Sequence, residues 1–130
     1  MGKKNMALED VLEEIRTRLE EKIKRQLSGL QGFVLGPIYN SIIPLHVEIS
    51  LPPEVSEFAF LDRGTIELTR GRSSNPDVRI ESDPQTFTSL FQNPSTERFK
   101  DLESRNKIRI TSLTKKGQNA EGYIRRYLAG

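Results

Sequence analysis

A long amphipathic pattern near the start of the chain constrains the fold more than any other feature of the sequence. Between residues 7 and 30, apolar side chains recur every three or four positions, which is the spacing that lines one face of an α-helix. These positions are Leu8, Val11, Leu12, Ile15, Leu19, Ile23, Leu27 and Leu30. Glu14 and Arg18 form one of several acid–base pairs four residues apart, which stabilise the exposed faces. The pattern predicts one helix over residues 7–30, ended by Gly29 and Gly32, whose apolar stripe must be buried against other elements.

Short segments of alternating apolar and polar residues follow the helix, and they predict strands. In residues 44–51 the alternation places Leu45, Val47, Ile49 and Leu51 on one face. Residues 58–61 and 65–68 flank the sequence Asp-Arg-Gly, which predicts a tight hairpin turn with a positive φ at Gly64. Two more strands are predicted at residues 77–81 and 107–113, which gives five strands in total.

Three further helices are predicted among and after these strands. Asp83-Pro84 is typical of a helix start, and Asn93-Pro94-Ser95 ends that helix and begins a second short one. Residues 117–128 predict a last helix that buries Ala120, Tyr123, Ile124 and Tyr127. The order of elements predicts an α+β fold, a mostly antiparallel five-stranded sheet with helices on one face. A chain of 130 residues has the usual size of one domain, so we expect residues 1–6 to be disordered and residues 7–130 to form a single domain.

The residue types that carry most enzyme chemistry are scarce in this sequence. There is no cysteine, and the only histidine, His46, falls on the polar face of a predicted strand, where a solvated or cross-strand role is expected. No Gly-x-Ser-x-Gly motif, phosphate loop or metal-ligand spacing occurs. Residues 69–76 contain two arginines and two serines that are able to cradle an anion, although an ordinary strand connection is favoured. We therefore predict no catalytic residue, no metal and no cofactor, and we expect that the protein is not an enzyme.

The charge is unevenly distributed, with seven basic residues and only Glu121 as an acid in residues 105–130. Such a segment is typical of contact with an anionic membrane surface, a nucleic acid or an acidic partner, but solvated helix faces with nearby carboxylates are the favoured interpretation. Aromatic residues are not interleaved with the basic ones, so nucleic acid is an unlikely partner. The residues predicted to dock on an anionic surface are Lys115, Lys116, Arg125 and Arg126.

No apolar signal segment begins the sequence, and the most apolar stretch, residues 33–45, is interrupted by Gly36-Pro37 and Pro44. It is shorter than the roughly 20 residues needed to span a bilayer. We therefore expect a soluble, cytoplasmic protein.

Four segments resemble the sterol carrier protein family of lipid-binding domains. Residues 60–68 (FLDRGTIEL) resemble its strand, turn and strand, and residues 75–91 resemble its next strand and helix. Residues 106–110 (NKIRI) and the helix over residues 120–128 are similar to its last strand and its lid-like helix. The chain departs from the family at residues 112–115, where Ser-Leu-Thr-Lys stands in place of the usual Gly-Asp, and in the apolar stretch of residues 32–45, which is able to fill ligand space.

The resemblance implies a hydrophobic tunnel between sheet and helices that holds a sterol, a fatty acyl chain or another lipid. The residues predicted to line it are Phe58, Phe60, Phe87, Leu90, Phe91, Phe99, Ile108, Ile110, Tyr123 and Tyr127. Composition cannot distinguish a tunnel from a plain core. The alternative functions are therefore a protein-interaction or regulatory domain with a filled core and, less favoured, a nucleic-acid binder.

Overall fold

Five helices and five strands build the protein, as seen in a computed structural model that describes residues 8–29, 32–72 and 75–129. The predicted disorder of residues 1–6 concerns residues outside this range. In chain order the elements are α1 (Leu8–Ser28), α2 (Gly32–Ile42), β1 (Leu45–Leu51), β2 (Glu54–Phe60), β3 (Ile66–Arg70), β4 (Val78–Ser82), α3 (Pro84–Gln92), α4 (Thr96–Ser104), β5 (Ile108–Ser112) and α5 (Lys115–Ala129).

The five strands form one sheet in the order β3-β2-β1-β4-β5. Three of its four pairings are antiparallel, as the sequence predicts for most of the sheet, and the central pair β1–β4 is parallel. In this register Val47 lies opposite Phe58 on one side and Val78 on the other. The register aligns the apolar positions of neighbouring strands, so one face of the sheet is continuously apolar.

The helices bury this apolar face. Val11, Leu12 and Ile15 of α1, and Phe87 and Leu90 of α3, belong to the same buried cluster as the inward residues of the strands. The strand residues of the cluster are Leu45, Val47, Ile49, Leu51, Phe58, Ile66, Val78, Ile80, Ile108 and Ile110. The α+β arrangement predicted from the sequence is confirmed.

The predicted helix starts after β4 are also confirmed. Asp83 caps α3, and its carboxylate accepts a hydrogen bond from the backbone amide of Thr86 at 2.8 Å. Ser95 caps α4 in the same way, with the amide of Arg98 at 3.2 Å from its hydroxyl. The hairpin turn after β2 has positive φ at Gly64, as predicted, and also at Arg63.

Three expectations about local structure were wrong. Residues 32–42 form the helix α2, whereas no helix was predicted there. The prediction failed because Gly36-Pro37 is typical of a helix break, yet α2 contains Pro37 in its interior. β2 begins at Glu54 and not at Phe58, since it pairs with the whole of β1 across a turn at Pro52-Pro53. Tyr123 is 45% exposed, so it does not face the core as the helical pattern suggested.

Asp77 joins four elements at one end of the sheet. It is buried, and its carboxylate accepts hydrogen bonds from the amide of His46 at 2.9 Å and the hydroxyl of Thr114 at 2.7 Å. Its carbonyl accepts the amide of Leu113 at 2.8 Å. A Cβ on Gly117 would lie 2.0 Å from that carbonyl oxygen, so the first turn of α5 packs directly on the backbone that enters β4.

Candidate functional site

The side chains predicted to line a tunnel are mostly packed in the closed core. Among them the buried ones are Phe58, Phe87, Leu90, Phe99, Ile108 and Ile110. Phe60, Phe91 and Tyr127 are partly buried and pack against this cluster, whereas Tyr123 is exposed. The predicted residues therefore divide into a buried group, a partly buried group and one exposed residue.

A cleft of about 250 Å³ opens at the surface between α1 and the carboxyl end of α3. Val11, Glu14, Arg18, Phe91 and Gln92 line it. Val11 is only 1% exposed and belongs to the core cluster, so the cleft reaches down to the hydrophobic interior. Among the residues predicted to hold a ligand, Phe91 lines this cleft.

Two cationic side chains of α1 lie over aromatic rings of α3 and α5. The guanidinium of Arg18 lies 5.0 Å from the centroid of the Phe91 ring and also bonds to the Glu14 carboxylate. One turn further along α1, the Lys22 ammonium lies 5.6 Å from the centroid of the Tyr127 ring. Burial raises the pKa of the Tyr127 hydroxyl, and the charges of Arg18 and Glu14 act on it as well. The cleft thus has an apolar floor and a rim that combines one cation with one carboxylate.

A second space lies between α1 and strands β2 and β3, beside Leu12, Ser56 and Leu68. Its volume of about 30 Å³ is close to that of one water molecule. It is too small to hold an organic ligand.

The polar face of the sheet carries an ion-pair network. His46 Nδ1 lies 2.9 Å from a Glu57 carboxylate oxygen across β1 and β2, which is the cross-strand role expected for His46. Glu48 is fully buried on this face, with Arg79 Nε at 3.1 Å and Arg72 at 3.5 Å from its Oε2. Arg72 is one of the arginines of the loop that was considered as an anion cradle, and it is paired with a carboxylate.

No three His, Cys, Asp or Glu side chains come together as a metal site in the part of the chain that the structure describes. Over the same residues, each helix is too short or too polar to span a bilayer.

The four basic residues predicted to dock on an anionic surface do not lie together. Arg125 is bound to Glu103 at 2.7 Å and to Glu121 at 2.8 Å. The Ser112 hydroxyl and then Arg125 lower the pKa of Glu121, so this carboxylate stays charged beside the arginine. Lys115 and Lys116 stand at the other end of α5, two to three helical turns away.

Comparison with solved structures identifies the architecture. The UbiJ-SCP2 ubiquinone synthesis protein superposes with a TM-score of 0.57 at 8% identity, over 96% of this chain and 94% of that chain. The chain has a sterol carrier protein fold. The sterol carrier protein domain 2 of Helicoverpa armigera also superposes, with a TM-score of 0.54 at 12% identity over 99% of this chain and 96% of that chain. No family model and no curated protein matches the sequence, and the resemblance inferred from its segments is confirmed as a similarity of fold.

Sequence reasoning missed most of the cleft that this sterol carrier fold carries. Glu14 and Arg18 were interpreted only as a surface ion pair on α1, and Val11 only as part of its apolar stripe. These residues form a cleft together with Phe91, which is far from them in the sequence. The weak signal available was Phe91 itself, an aromatic residue in the last turn of α3.

Proposed function

We propose that the protein binds or transfers an apolar ligand, without catalysing a reaction, and that the ligand enters through the cleft between α1 and α3. The observation that carries this proposal is the apolar floor formed by Val11 and Phe91, which joins the cleft to the core cluster. The sterol carrier fold supports it, because domains with this architecture place an apolar interior between sheet and helices. The ligand class is a lipid, a fatty acyl chain or a sterol-like molecule.

The size of the cleft limits how such a ligand is held. Pockets for small molecules usually occupy about 300–1,000 Å³, so a cleft of about 250 Å³ accepts part of a lipid and not all of it. A longer chain must displace Phe91 from beneath Arg18 to enter the packed interior between α3 and the sheet. We therefore propose Phe91 as the side chain that moves on binding, with the interior residues Phe87, Leu90 and Phe99 as its inner neighbours.

A direct test uses the absence of tryptophan from this chain. Phe91→Trp places a single indole in the cleft, and Tyr123→Trp places one on the exposed side of α5 as the matched control. Each variant is titrated with dibromostearate and with a brominated sterol, since bromine quenches indole fluorescence only at short range. We expect saturable quenching at position 91 and little quenching at position 123.

The rival function is a protein-interaction or regulatory domain with a filled core. The closed packing around Phe58, Phe99 and Ile108 favours it. Equal quenching at positions 91 and 123, or none at either, together with lipid-free protein in native mass spectrometry, would overturn the carrier proposal in favour of this rival.

A further inference from the structure

α2 is an uncharged surface helix in a highly charged protein. Asp, Glu, Lys and Arg make up 29% of the chain, yet residues 26–47 contain none of them. Pro37 and Ile38 face outward, and Ile38 is 37% exposed, one of the largest exposures of a bulky apolar side chain among the described residues. Asn40 and Ser41, which are polar but uncharged, are exposed beside them. The outer side of α2 therefore combines apolar and uncharged polar groups, and it carries no charge that opposes contact with an apolar surface.

The opposite side of α2 fixes it to the domain. Leu35, Tyr39 and Ile42 are half-buried, and Ile42 packs against the core cluster. The Tyr39 hydroxyl donates a hydrogen bond of 2.6 Å to the carbonyl of Leu61 in the β2–β3 turn. α2 is therefore held in place, and its exposed side is presented outward as a fixed surface.

Two lysines stand beside the carboxyl end of α2. Lys116 Nζ donates a hydrogen bond of 2.6 Å to the carbonyl of Pro44, two residues after α2 ends. Lys115 is exposed next to it, and Leu113 just before is 43% exposed. Residues 105–120 contain no acid, so no acidic side chain of this segment neutralises the two ammonium groups.

We propose that these residues, Pro37, Ile38, Leu113, Lys115 and Lys116, form one docking surface for an anionic lipid bilayer. Apolar side chains that enter the interface, flanked by lysines that meet anionic headgroups, are the arrangement by which a helix binds to the surface of a membrane. The positive charge selects an anionic bilayer over a neutral one. Arg125 and Arg126 are left out of this surface, because Arg125 is paired with two carboxylates and both lie at the far end of α5.

The surface is distinct from the cleft between α1 and α3, so docking does not require a bound ligand. The test is co-sedimentation with ligand-free vesicles of phosphatidylcholine alone and of phosphatidylcholine with phosphatidylglycerol at 7:3. A lysine near an anionic leaflet strengthens binding about fivefold, and Lys115→Glu changes the charge by two units, so it should weaken the binding to anionic vesicles about 25-fold. Ile38→Asp should weaken it by a similar factor, and Ile38→Ser by less.

Lys100→Glu is the matched control. Lys100 is an exposed lysine of α4, the helix whose residues Thr96 and Glu103 contact the carboxyl half of α5. The substitution changes the charge by the same amount as Lys115→Glu but lies away from the proposed surface. The Lys100→Glu variant should therefore bind anionic vesicles like the wild type. Binding should also fall steeply at about 0.5 M salt, where the Debye length is only a few ångströms.

Equal weakening by Lys100→Glu and Lys115→Glu would overturn the proposal, since it would show only a response to net charge. Unchanged binding of Ile38→Asp, or equal binding to neutral and anionic vesicles, would overturn it as well. Circular dichroism and thermal unfolding establish that each variant is folded. Self-association of the wild type that Ile38→Asp abolishes, without vesicle binding, would assign the surface to a second copy of the chain. Quenching of the position-91 indole in the Ile38→Asp background tests ligand binding separately, so either proposal is able to fail alone.

Discussion

Two phenylalanines of α3 lie in different surroundings, one in the closed core and one in the open cleft. Phe87 is 3% exposed in the core cluster, and Phe91, one helical turn later, lines the cleft. Phe87→Ala should lower the free energy of unfolding by about 3–5 kcal/mol, because it leaves a closed cavity. Phe91→Ala enlarges a space that is already open, so it loses only the partial burial of the ring and its contact with Arg18, in total about 1–2 kcal/mol.

The comparison is sharp because both substitutions are made in the same helix and change the same side chain. Their effect on helix propensity therefore nearly cancels. Urea denaturation followed by circular dichroism gives each free energy of unfolding. The slope of this free energy against urea concentration should be the same in both variants, as expected when both unfold in two states. Losses of equal size at Phe87 and Phe91 would refute the reasoning, because they would show that position 91 is closed core and that the cleft does not exist in solution.

Three other positions give independent tests. Gly117→Ala should cost about 3 kcal/mol through overpacking, because its Cβ would lie 2.0 Å from the carbonyl oxygen of Asp77; near-wild-type stability in urea would contradict this packing. Burial raises the pKa of Tyr39 to about 12, so the stability that the hydroxyl contributes is complete below pH 10 and is lost as the pH rises towards about 12. The free energy of unfolding of the wild type should exceed that of Tyr39→Phe by about 1 kcal/mol near neutral pH. A difference that stays constant up to pH 12 would contradict a stabilising role of the Tyr39 hydroxyl. Asp83→Ala should lower the free energy of unfolding by about 1 kcal/mol, because it removes the cap of α3. The hydrogen bonds from Thr86 lower the pKa of Asp83, so this contribution is present at neutral pH and is lost as the pH falls through that lowered pKa; the reverse trend would refute the cap.

Local signals predicted much of the fold, because they act over a few residues. The cap at Asp83, the cap at Ser95 and the turn at Gly64 each depend on side chains or backbone within about one turn of the chain. The alternation in β1 was equally visible, since one face of that strand is fully buried. These features were therefore readable without knowledge of the tertiary structure.

The features that sequence reasoning missed depend on distant neighbours. α2 contains Pro37, which disfavours a helix locally, and its packing on α1 and α5 is a tertiary contact. Tyr123 matches the inward spacing of its helix, yet α5 buries Ala120 and Leu128 and leaves Tyr123 exposed. The cleft requires α1 and α3 to meet, which no local pattern encodes.

The parallel pairing of β1 with β4 has a consequence for how the protein folds. β1, β2 and β3 pair with strands that are adjacent in sequence, and β4 is joined to β5 through two short helices. The link between Val47 and Val78 connects these two parts, and Val78 also pairs with Ser112 of β5, so both of its pairings join residues that are distant in the sequence. Because loop closure costs more entropy as the loop lengthens, and non-local strand pairing is slow, we expect the β1–β2–β3 part to form before either pairing of β4. Val78→Ala should therefore slow folding as well as speed unfolding, which makes the middle of the sheet the step that sets the folding rate.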